Sequence, residues 1–198
     1  MEAPSISGQT FSGKDWALAE VERAVYEDCA FHDVDWSEAR LSGCTFLRCE
    51  FGNIRFNATE LSSCAILQST LRRCNFFDAT LTECKLTGTQ FSDCDLRPLT
   101  VDGGDWSFVS LRGANLTAVS LAGLRLHEAD LEGANLTRAD LRGADLSAAR
   151  LRDAVLKGAD LRGADLDAVA LREVDLTGAK IDIAQAGLFA QAHGAVIG

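Results

Sequence analysis

The sequence predicts an all-β coil built from repeats of five residues. From Ile6 to Ile181 an apolar residue recurs at every fifth position, and twelve of the seventeen glycines lie two residues after such a position. Aromatic residues at the apolar positions recur at steps of twenty, which indicates a second period of four repeats. Such an internal repeat predicts the fold better than the secondary-structure propensities of single residues do. Each unit can bury its apolar face only against its neighbours in a stack.

The five-residue period excludes both a straight helix and a straight strand. Five steps of about 100° turn a side chain roughly 140° from the previous one, so the apolar residues would spiral around a helix. Side chains of a strand alternate with period two, so an odd repeat would place successive apolar residues on opposite faces. The apolar centre and the small residue two before it can both face one core only if the chain turns a corner in every repeat.

The glycines and aromatic residues indicate where the corners lie and how many make one turn. Glycine reaches backbone angles that other residues adopt only with strain, so its position after each centre suits a corner. If aromatic rings stack from turn to turn, one turn takes four repeats, and the 35 centres from Phe11 to Ile181 give nearly nine turns. At a strand spacing of about 4.8 Å the stack would be roughly 42 Å long. One such aromatic series is Trp16, Trp36, Phe56 and Phe76.

These residues resemble the pentapeptide-repeat family, whose pattern is Ala-(Asp/Asn)-Leu followed by two variable residues. The resemblance covers about nine-tenths of the chain and implies a right-handed quadrilateral β-helix with four repeats per turn. We therefore expect a β-helix over 1–182, regular over 11–182, and a C-terminal helix and tail over 183–198. The pattern stands at Ala114–Leu116, Ala134–Leu136, Ala139–Leu141, Ala144–Leu146, Ala159–Leu161 and Ala164–Leu166.

Two shorter matches resemble one branch of this family. Leu96–Thr100 and the segment that ends in Ala192–Gly194 are similar to the MfpA-like proteins, which give quinolone resistance in mycobacteria, and more distantly to the Qnr proteins. Qnr proteins interrupt their coils with projecting loops. Because the five-residue register is unbroken in this chain, the smooth MfpA-like form is favoured.

The formal net charge is −10, with 29 acidic and 19 basic residues. Thirteen of the acids lie immediately before a centre, at a position predicted to point outward, and several are followed by an arginine after the centre. For any single aspartate, a solvated surface with ion pairs is the simpler interpretation. The charges of the whole rod nevertheless add up to a negative electrostatic field. This field repels nucleic acid and attracts basic surfaces, such as a groove that holds DNA.

The resemblance implies a non-enzymatic DNA mimic that binds DNA gyrase, a type II topoisomerase, and inhibits it, protects it from fluoroquinolones, or does both. Two sets of aspartates at twenty-residue steps would form charged columns, with Asp140 and Asp160 in one. The alternative is a structural or adaptor module, or an immunity factor against another topoisomerase poison. The candidate gyrase-binding residues are Asp105, Asp130, Asp140, Asp145, Asp160, Asp165 and Asp175.

An open end of such a coil exposes backbone and apolar surface and needs a cover. The period stops after Ile181, and Ala184–Ala192 predicts a short helix with Asp182 near its start. No cap is evident in residues 1–10. The family resemblance implies that the C-terminal cap also joins two rods end to end in a homodimer, which an exposed Phe189 would suit. The candidate dimer residues are Ile181, Ile183, Leu188, Phe189, Val196 and Ile197.

No constellation of catalytic, metal-binding or cofactor-binding residues is evident. The three histidines share no ligand spacing, and Asp102–Asp105 lacks the closing Glu of a Ca²⁺ loop, so a locally distorted corner is the better interpretation of that segment. All seven cysteines occupy the small inward position, their number is odd and no CxxC occurs. We interpret them as small hydrophobes rather than as metal ligands or disulfides.

Composition also bears on location. No apolar run approaches the ~20 residues of a membrane span, and the N-terminus lacks a charged segment followed by an apolar one. We therefore expect a cytoplasmic protein with no membrane partner and no direct nucleic-acid partner.

Overall fold

The computed structural model describes residues 5–197, which form a parallel β-helix that ends in one α-helix. Beyond β14 the coil continues through isolated bridges, a 3-10 helix at Leu171–Glu173, and α1 at Ile183–Ala192. The strands are β1 (Ser5–Ser7), β2 (Thr10–Ser12), β3 (Glu20–Glu22), β4 (Val25–Glu27), β5 (Ala30–His32), β6 (Arg40–Ser42), β7 (Thr45–Leu47), β8 (Glu50–Gly52), β9 (Glu60–Ser62), β10 (Ala65–Leu67), β11 (Thr70–Arg72), β12 (Ala79–Lys85), β13 (Gln90–Ser92) and β14 (Leu99–Asp105).

Each turn of the coil takes twenty residues. Near one end Ser5 pairs in parallel with Val25, and near the other Asp160 pairs with Lys180. The same step separates all the paired strands and bridges between these ends, so the four sides of each turn lie directly on those of the turn before. The predicted four-sided β-helix is therefore confirmed, and so is the turn of four repeats.

The corners have one shared backbone geometry. The residue two after the centre adopts a positive φ in nearly every repeat, whether it is Gly143 (φ 65°) or Arg138 (φ 58°). Non-glycine residues seldom adopt this region, which explains why twelve glycines occur at this position and confirms the predicted corners. Pro98 is an exception, because its ring fixes φ at a negative value, and the Arg97–Pro98 peptide is cis.

The core is a set of side-chain columns that run along the coil. In the N-terminal half aromatic rings stack on their equivalents one turn away, with ring centroids 5.0 Å apart for Phe31 and Phe51 and likewise for Tyr26 and Phe46. In the C-terminal half the centres are buried leucines such as Leu131. The stacking of aromatic on aromatic that the twenty-residue spacing predicted is confirmed.

Within residues 5–197 the backbone ladder is interrupted at two levels, one near the middle of the coil and one near its C-terminal end, where the bonds from the N–H groups of Ala170 and Asp175 are absent. In a regular turn the N–H before the centre donates to the carbonyl of the inward residue one turn back, as Asp95 does to Cys74 at 2.9 Å. At the middle level, between the turn that contains Pro98 and the next turn, such bonds from described residues to the carbonyls of Cys94, Leu99 and Gly104 are absent, and on the sides of Cys94 and Leu99 the bridge is absent as well. The turns stay paired on the other sides, as Gln90 is with Ser110. We call this middle level the ladder gap; it separates Cys94 from Asn115 on one side and Leu99 from Ser120 on the adjacent side.

The predicted C-terminal helix is present, and Gln185 attaches it to the coil. Asp182 and Gln185 form a capping box, in which the Asp182 side chain accepts from the Gln185 N–H at 3.0 Å. The Gln185 side chain is buried and donates to the carbonyls of Leu161 and Ala164. These are carbonyls of the preceding turn, so the helix satisfies backbone groups at the end of the coil. Of the predicted uncapped segment 1–10, residues 1–4 lie outside the described residues. Across residues 5–197, the structure contains no helix with the length and apolar character of a membrane span.

Candidate protein-interaction surface

The aspartates before the apolar centres have a structural role besides their charge. The Asp140 carboxylate accepts a hydrogen bond from the backbone N–H of Arg142 at 3.2 Å. Asn135 occupies the equivalent position, and its side-chain oxygen accepts from the N–H of Thr137 at 3.1 Å. Such contacts stabilise turns with either side chain. Asp and Asn are therefore equivalent for the corner and differ only in charge.

Asp140 and Asp160 lie in one column, as the sequence predicts, and pair directly across the ladder. Each carries its own counter-charge, because Arg142 and Arg162 each donate two hydrogen bonds, at 2.8 and 2.6 Å, to the aspartate two residues before. The Arg162 hydrogen bond lowers the pKa of Asp160 to about 2. The column is thus ionised, yet its local net charge is small.

Asp145 and Asp165 form a second column and differ in this respect. They pair across the ladder, and neither forms an ion pair with another described residue. A hydrogen bond from Ser147 lowers the pKa of Asp145. The third member predicted for this column, Asp105, lies two turns away and has a counter-charge, since its carboxylate is 3.5 Å from Arg125. In this column, the carboxylates without an ion pair to another described residue are therefore the two nearer the C-terminus, Asp145 and Asp165.

Asp130 and Asp175 are not equivalent members of the predicted surface. Asp130 is only 6% exposed, because the guanidinium groups of Arg150, at 2.5 Å, and Arg112, at 3.6 Å, lie over it. Its outward position therefore does not make it accessible to a partner. Asp175 is exposed, and a hydrogen bond from Thr177 lowers its pKa. It belongs to neither of the two columns described above.

The largest concentration of negative charge along the chain lies in the N-terminal quarter, which the twenty-residue spacing of aspartates did not indicate. Residues 1–50 contain ten acids and four bases, which is six of the ten net negative charges of the chain. These acids are distributed over different sides of the coil, and exposed examples are Glu22, Asp33 and Glu38. A running count of charge along the sequence is the signal that could have found them.

Comparison with known families identifies the repeat. A family model described as pentapeptide repeats (8 copies) matches residues 60–97, 110–147 and 149–182, which together make up more than half of the chain. The chain belongs to the pentapeptide-repeat family. No curated protein matches it significantly by sequence.

Solved structures of QnrB1, a plasmid-mediated fluoroquinolone resistance protein, resemble this pentapeptide-repeat protein in fold. One trypsin-treated point variant of QnrB1 superposes with a TM-score of 0.87 at 23% identity, over 98% of each chain. A second trypsin-treated variant gives 0.77 at 21% identity over 98% of each chain. Full-length QnrB1 gives 0.63 at 22% identity, over 96% of this chain and 100% of that chain. At these identities the likeness concerns the fold.

The C-terminal end of this pentapeptide-repeat protein exposes apolar side chains. Ile183 is 92% exposed and Val196 is 96% exposed, and Leu188 and Ile197 are also exposed. Phe189 differs from the expectation, because it is half-buried against the core and its ring lies 4.2 Å from that of His193. Ile181 is likewise half-buried against the core. Four of the six predicted dimer residues therefore lie on the surface, and two support it from beneath.

Proposed function

We propose that this protein binds DNA gyrase as a mimic of duplex DNA, and thereby inhibits the enzyme, protects it from fluoroquinolones, or does both. The observation that carries the proposal is a stack of equal turns with a net charge of −10 and outward carboxylates at regular steps. A negative rod is attracted to a positively charged surface that holds DNA. The shared fold with QnrB1, a fluoroquinolone resistance protein, supports the same function.

Charge density limits how closely the rod can imitate DNA. Over roughly 42 Å of stacked turns the chain carries a net charge of −10, whereas duplex DNA of that length carries about 25 negative charges. The rod therefore has less than half of the charge density of DNA. Shape and a few uncompensated carboxylates must supply the remaining specificity, so the position of those carboxylates decides which side of the rod faces gyrase.

Within the proposal, the Asp145 and Asp165 column contributes more to binding than the Asp140 and Asp160 column. The first has no ion pair to break, whereas in the second an arginine already satisfies each carboxylate. A carboxylate with a bidentate arginine partner gains less from a new cation, because the existing pair has to be disrupted or shared.

We further propose that two molecules join through their C-terminal ends and present one longer rod. Ile183, Leu188, Val196 and Ile197 give this end an exposed apolar surface, which a two-fold partner of the same chemistry would cover. Phe189 would hold α1 in place rather than contact the partner, because it packs on the core of its own chain.

The test of the function is a supercoiling assay with purified gyrase, run with and without a fluoroquinolone. Dose-dependent inhibition, or reduced accumulation of drug-stabilised cleaved DNA, is expected. If neither occurs at concentrations at which the protein is folded, the proposal is wrong and the adaptor interpretation is favoured.

The test of the surface compares matched double variants. Asp145→Lys with Asp165→Lys should weaken inhibition on the order of tenfold, since charge is reversed on a surface that faces a basic groove. Asp145→Asn with Asp165→Asn should weaken it less while keeping the corner hydrogen bonds. Asp140→Asn with Asp160→Asn is the control and should have the smallest effect; an equal loss in the control would contradict the ranking of the two columns.

The test of the dimer uses Ile183→Glu with Val196→Glu. Light scattering should give the mass of a monomer, and gyrase inhibition should fall, because the rod is halved. Leu18→Glu, at an exposed apolar residue near the other end, should leave the dimer intact. A folded monomeric double variant that inhibits as strongly as the parent protein would exclude the end-to-end arrangement.

A further inference from the structure

The seven cysteines are not equivalent in the structure. All are free and occupy inward columns, and six of them are buried, whereas Cys94 is partly exposed. Cys94 lies in one column with Cys74, one turn earlier. A comparable column contains Cys44 and Cys64, which are 0% and 1% exposed.

Cys94 lies at the ladder gap. Among residues 5–197, no hydrogen bond joins the Asn115 N–H to the Cys94 carbonyl, although the equivalent bond from Asn135 to Ala114 is present at 2.9 Å. Ala114, the inward residue on the other side of the gap, is also partly exposed, whereas Ala134 one turn further on is 0% exposed. Solvent therefore reaches the column at this level and not at the levels above and below it.

Cys74 and Cys94 are placed to react with each other. The residues that follow them, Asn75 and Asp95, pair in parallel across the ladder, and the Asp95 N–H donates to the Cys74 carbonyl at 2.9 Å. Adjacent parallel strands are about 4.8 Å apart, and a disulfide requires a Cα separation of roughly 4.4–6.8 Å. Each thiol donates a hydrogen bond to the carbonyl of an apolar centre, Cys74 to Phe51 at 3.7 Å and Cys94 to Leu71 at 3.5 Å. No large movement of the backbone is needed to bring the sulfurs into contact.

The two thiols have different acidity, which assigns their roles. The neighbouring Cys74 thiol lowers the pKa of the Cys94 thiol. The neighbouring Cys94 thiol, together with burial, raises the pKa of Cys74. The thiolate is the nucleophile in reactions of cysteine, so the more acidic and more exposed Cys94 reacts first and Cys74 second.

We propose that Cys94 is a site of oxidation by hydrogen peroxide and that Cys74 resolves it into a disulfide between adjacent turns. The Cys94 thiolate attacks one peroxide oxygen, the O–O bond breaks, and the hydroxide that leaves takes up the thiol proton as water. The Cys74 sulfur then attacks the Cys94 sulfenic acid, an S–S bond forms, and a second water leaves with the Cys74 proton. Two thiols are oxidised by two electrons, and one peroxide is reduced to two waters.

The column of Cys44 and Cys64 is the internal control. These thiols also donate to backbone carbonyls, and the neighbouring Cys64 thiol lowers the pKa of Cys44 to about 7. The ladder is continuous here, as the Ala65 N–H donates to the Cys44 carbonyl and the Lys85 N–H to the Cys64 carbonyl, each at 2.8 Å. The pKa of Cys44 is thus lowered although its thiol is buried, so this pair separates the effect of exposure at the ladder gap from the effect of thiol acidity.

The test treats the full, folded chain with hydrogen peroxide, blocks the remaining thiols with iodoacetamide, and maps the products by mass spectrometry without reduction. A cross-linked peptide that joins Cys74 to Cys94 is expected, with Cys94 lost on the order of tenfold or more faster than Cys44. In Cys74→Ser, the sulfenic acid of Cys94 should accumulate and be trapped by dimedone. Cys44→Ser should form the Cys74–Cys94 link as the parent chain does.

Three outcomes would overturn the proposal. Equal oxidation of Cys44 and Cys94 would show that the ladder gap gives no selective access. Direct conversion of Cys94 to sulfinic acid in the parent chain, without a link, would show that Cys74 does not resolve it. A disulfide between two chains would place the reaction outside the column. None of these results depends on gyrase binding, so the two proposals can fail separately.

Discussion

The N-terminal and C-terminal halves of this β-helix have the same backbone period and differently filled cores. Residues 5–105 carry all fourteen strands of the described chain and stack aromatic rings, as Phe31 does on Phe51. Residues 106–182 keep the same register by isolated bridges and fill the core with leucine from Leu111 onward. The difference shows that the corners and the backbone ladder define the geometry of a turn. The side chains in each core column fill the interior of the turn and do not change that geometry.

A whole column can change because each side chain packs mainly against its equivalent one turn away. When every member of a column is replaced by the same kind of residue, each side chain still packs against a neighbour of its own size and shape. The ladder gap lies between the two halves, at the turn where Pro98 replaces a residue of positive φ. Four predictions, from the largest expected effect to the smallest, test whether the halves behave as separate units and what individual contacts in each half contribute to stability.

Removing a core side chain should have a local effect. Phe51→Ala should lower the free energy of unfolding by about 3–5 kcal/mol and Leu131→Ala by about 2–5 kcal/mol, because each leaves a cavity in a packed column. Native-state hydrogen exchange should rise mainly on the mutated side of the ladder gap, since each turn contacts only its neighbours. An equal rise on both sides after either substitution would show that the gap does not separate two units.

Gly104 should be the glycine least tolerant of substitution. Its φ is +105°, and an added Cβ would lie 2.1 Å from the Cys84 carbonyl oxygen. Gly104→Ala should therefore cost about 3 kcal/mol or more in urea denaturation, from a backbone clash added to an unfavourable φ.

The matched control for this glycine is Gly123, just beyond the gap. Its φ is +68° and an added Cβ would meet nothing within 4 Å. Gly123→Ala should cost only about 1 kcal/mol, the conformational part alone. If both substitutions cost the same, close approach between the turns at Gly104 is not what requires glycine there.

The C-terminal cap should contribute less than the core. Gln185→Ala should lower stability by about 1–3 kcal/mol, because the Ala164 carbonyl loses the Gln185 side chain as donor and the Leu161 carbonyl keeps only the Ala164 N–H. The exposed Gln191 on the same helix is the control, and Gln191→Ala should change stability by less than about 0.5 kcal/mol. Equal unfolding midpoints for the two variants would mean that α1 is not attached through Gln185.

The smallest expected effect is a pH dependence at Asp160. Its pKa is lowered from 3.8 to about 2 by the Arg162 hydrogen bond, so the folded state holds the proton less tightly than the unfolded state. This contribution to stability is present above about pH 4 and is lost as the pH falls toward 2. Asp160→Asn keeps the corner hydrogen bond and should flatten that part of the stability profile. An identical fall in the parent chain and the variant would assign the acid sensitivity to other groups.

Much of the fold could be predicted from the sequence because its rule is local. A five-residue period with glycine after the centre leaves only a coil with corners, and the structure confirms the period of four repeats and the positive φ at residues such as Gly143. The C-terminal helix was also predictable, since the end of the period and Asp182 mark its start.

The candidate surface was less predictable because charge and exposure depend on neighbours in space. The outward position of Asp130 follows from the repeat, but its burial comes from Arg150 one turn away. Likewise, the apolar character of Phe189 suggested an exposed contact, whereas its packing on the core places it beneath the surface.

The amino-acid sequence alone determined the shape of one repeat, since period, glycine position and apolar centre are properties of five consecutive residues. Only the tertiary structure decided which carboxylates are uncompensated and where the ladder is open, as at Asp145 and Cys94. The physical reason is distance along the chain. The ladder bonds, and ion pairs such as that of Asp130 with Arg150, form between residues about twenty positions apart, so each of them depends on the geometry of two turns at once.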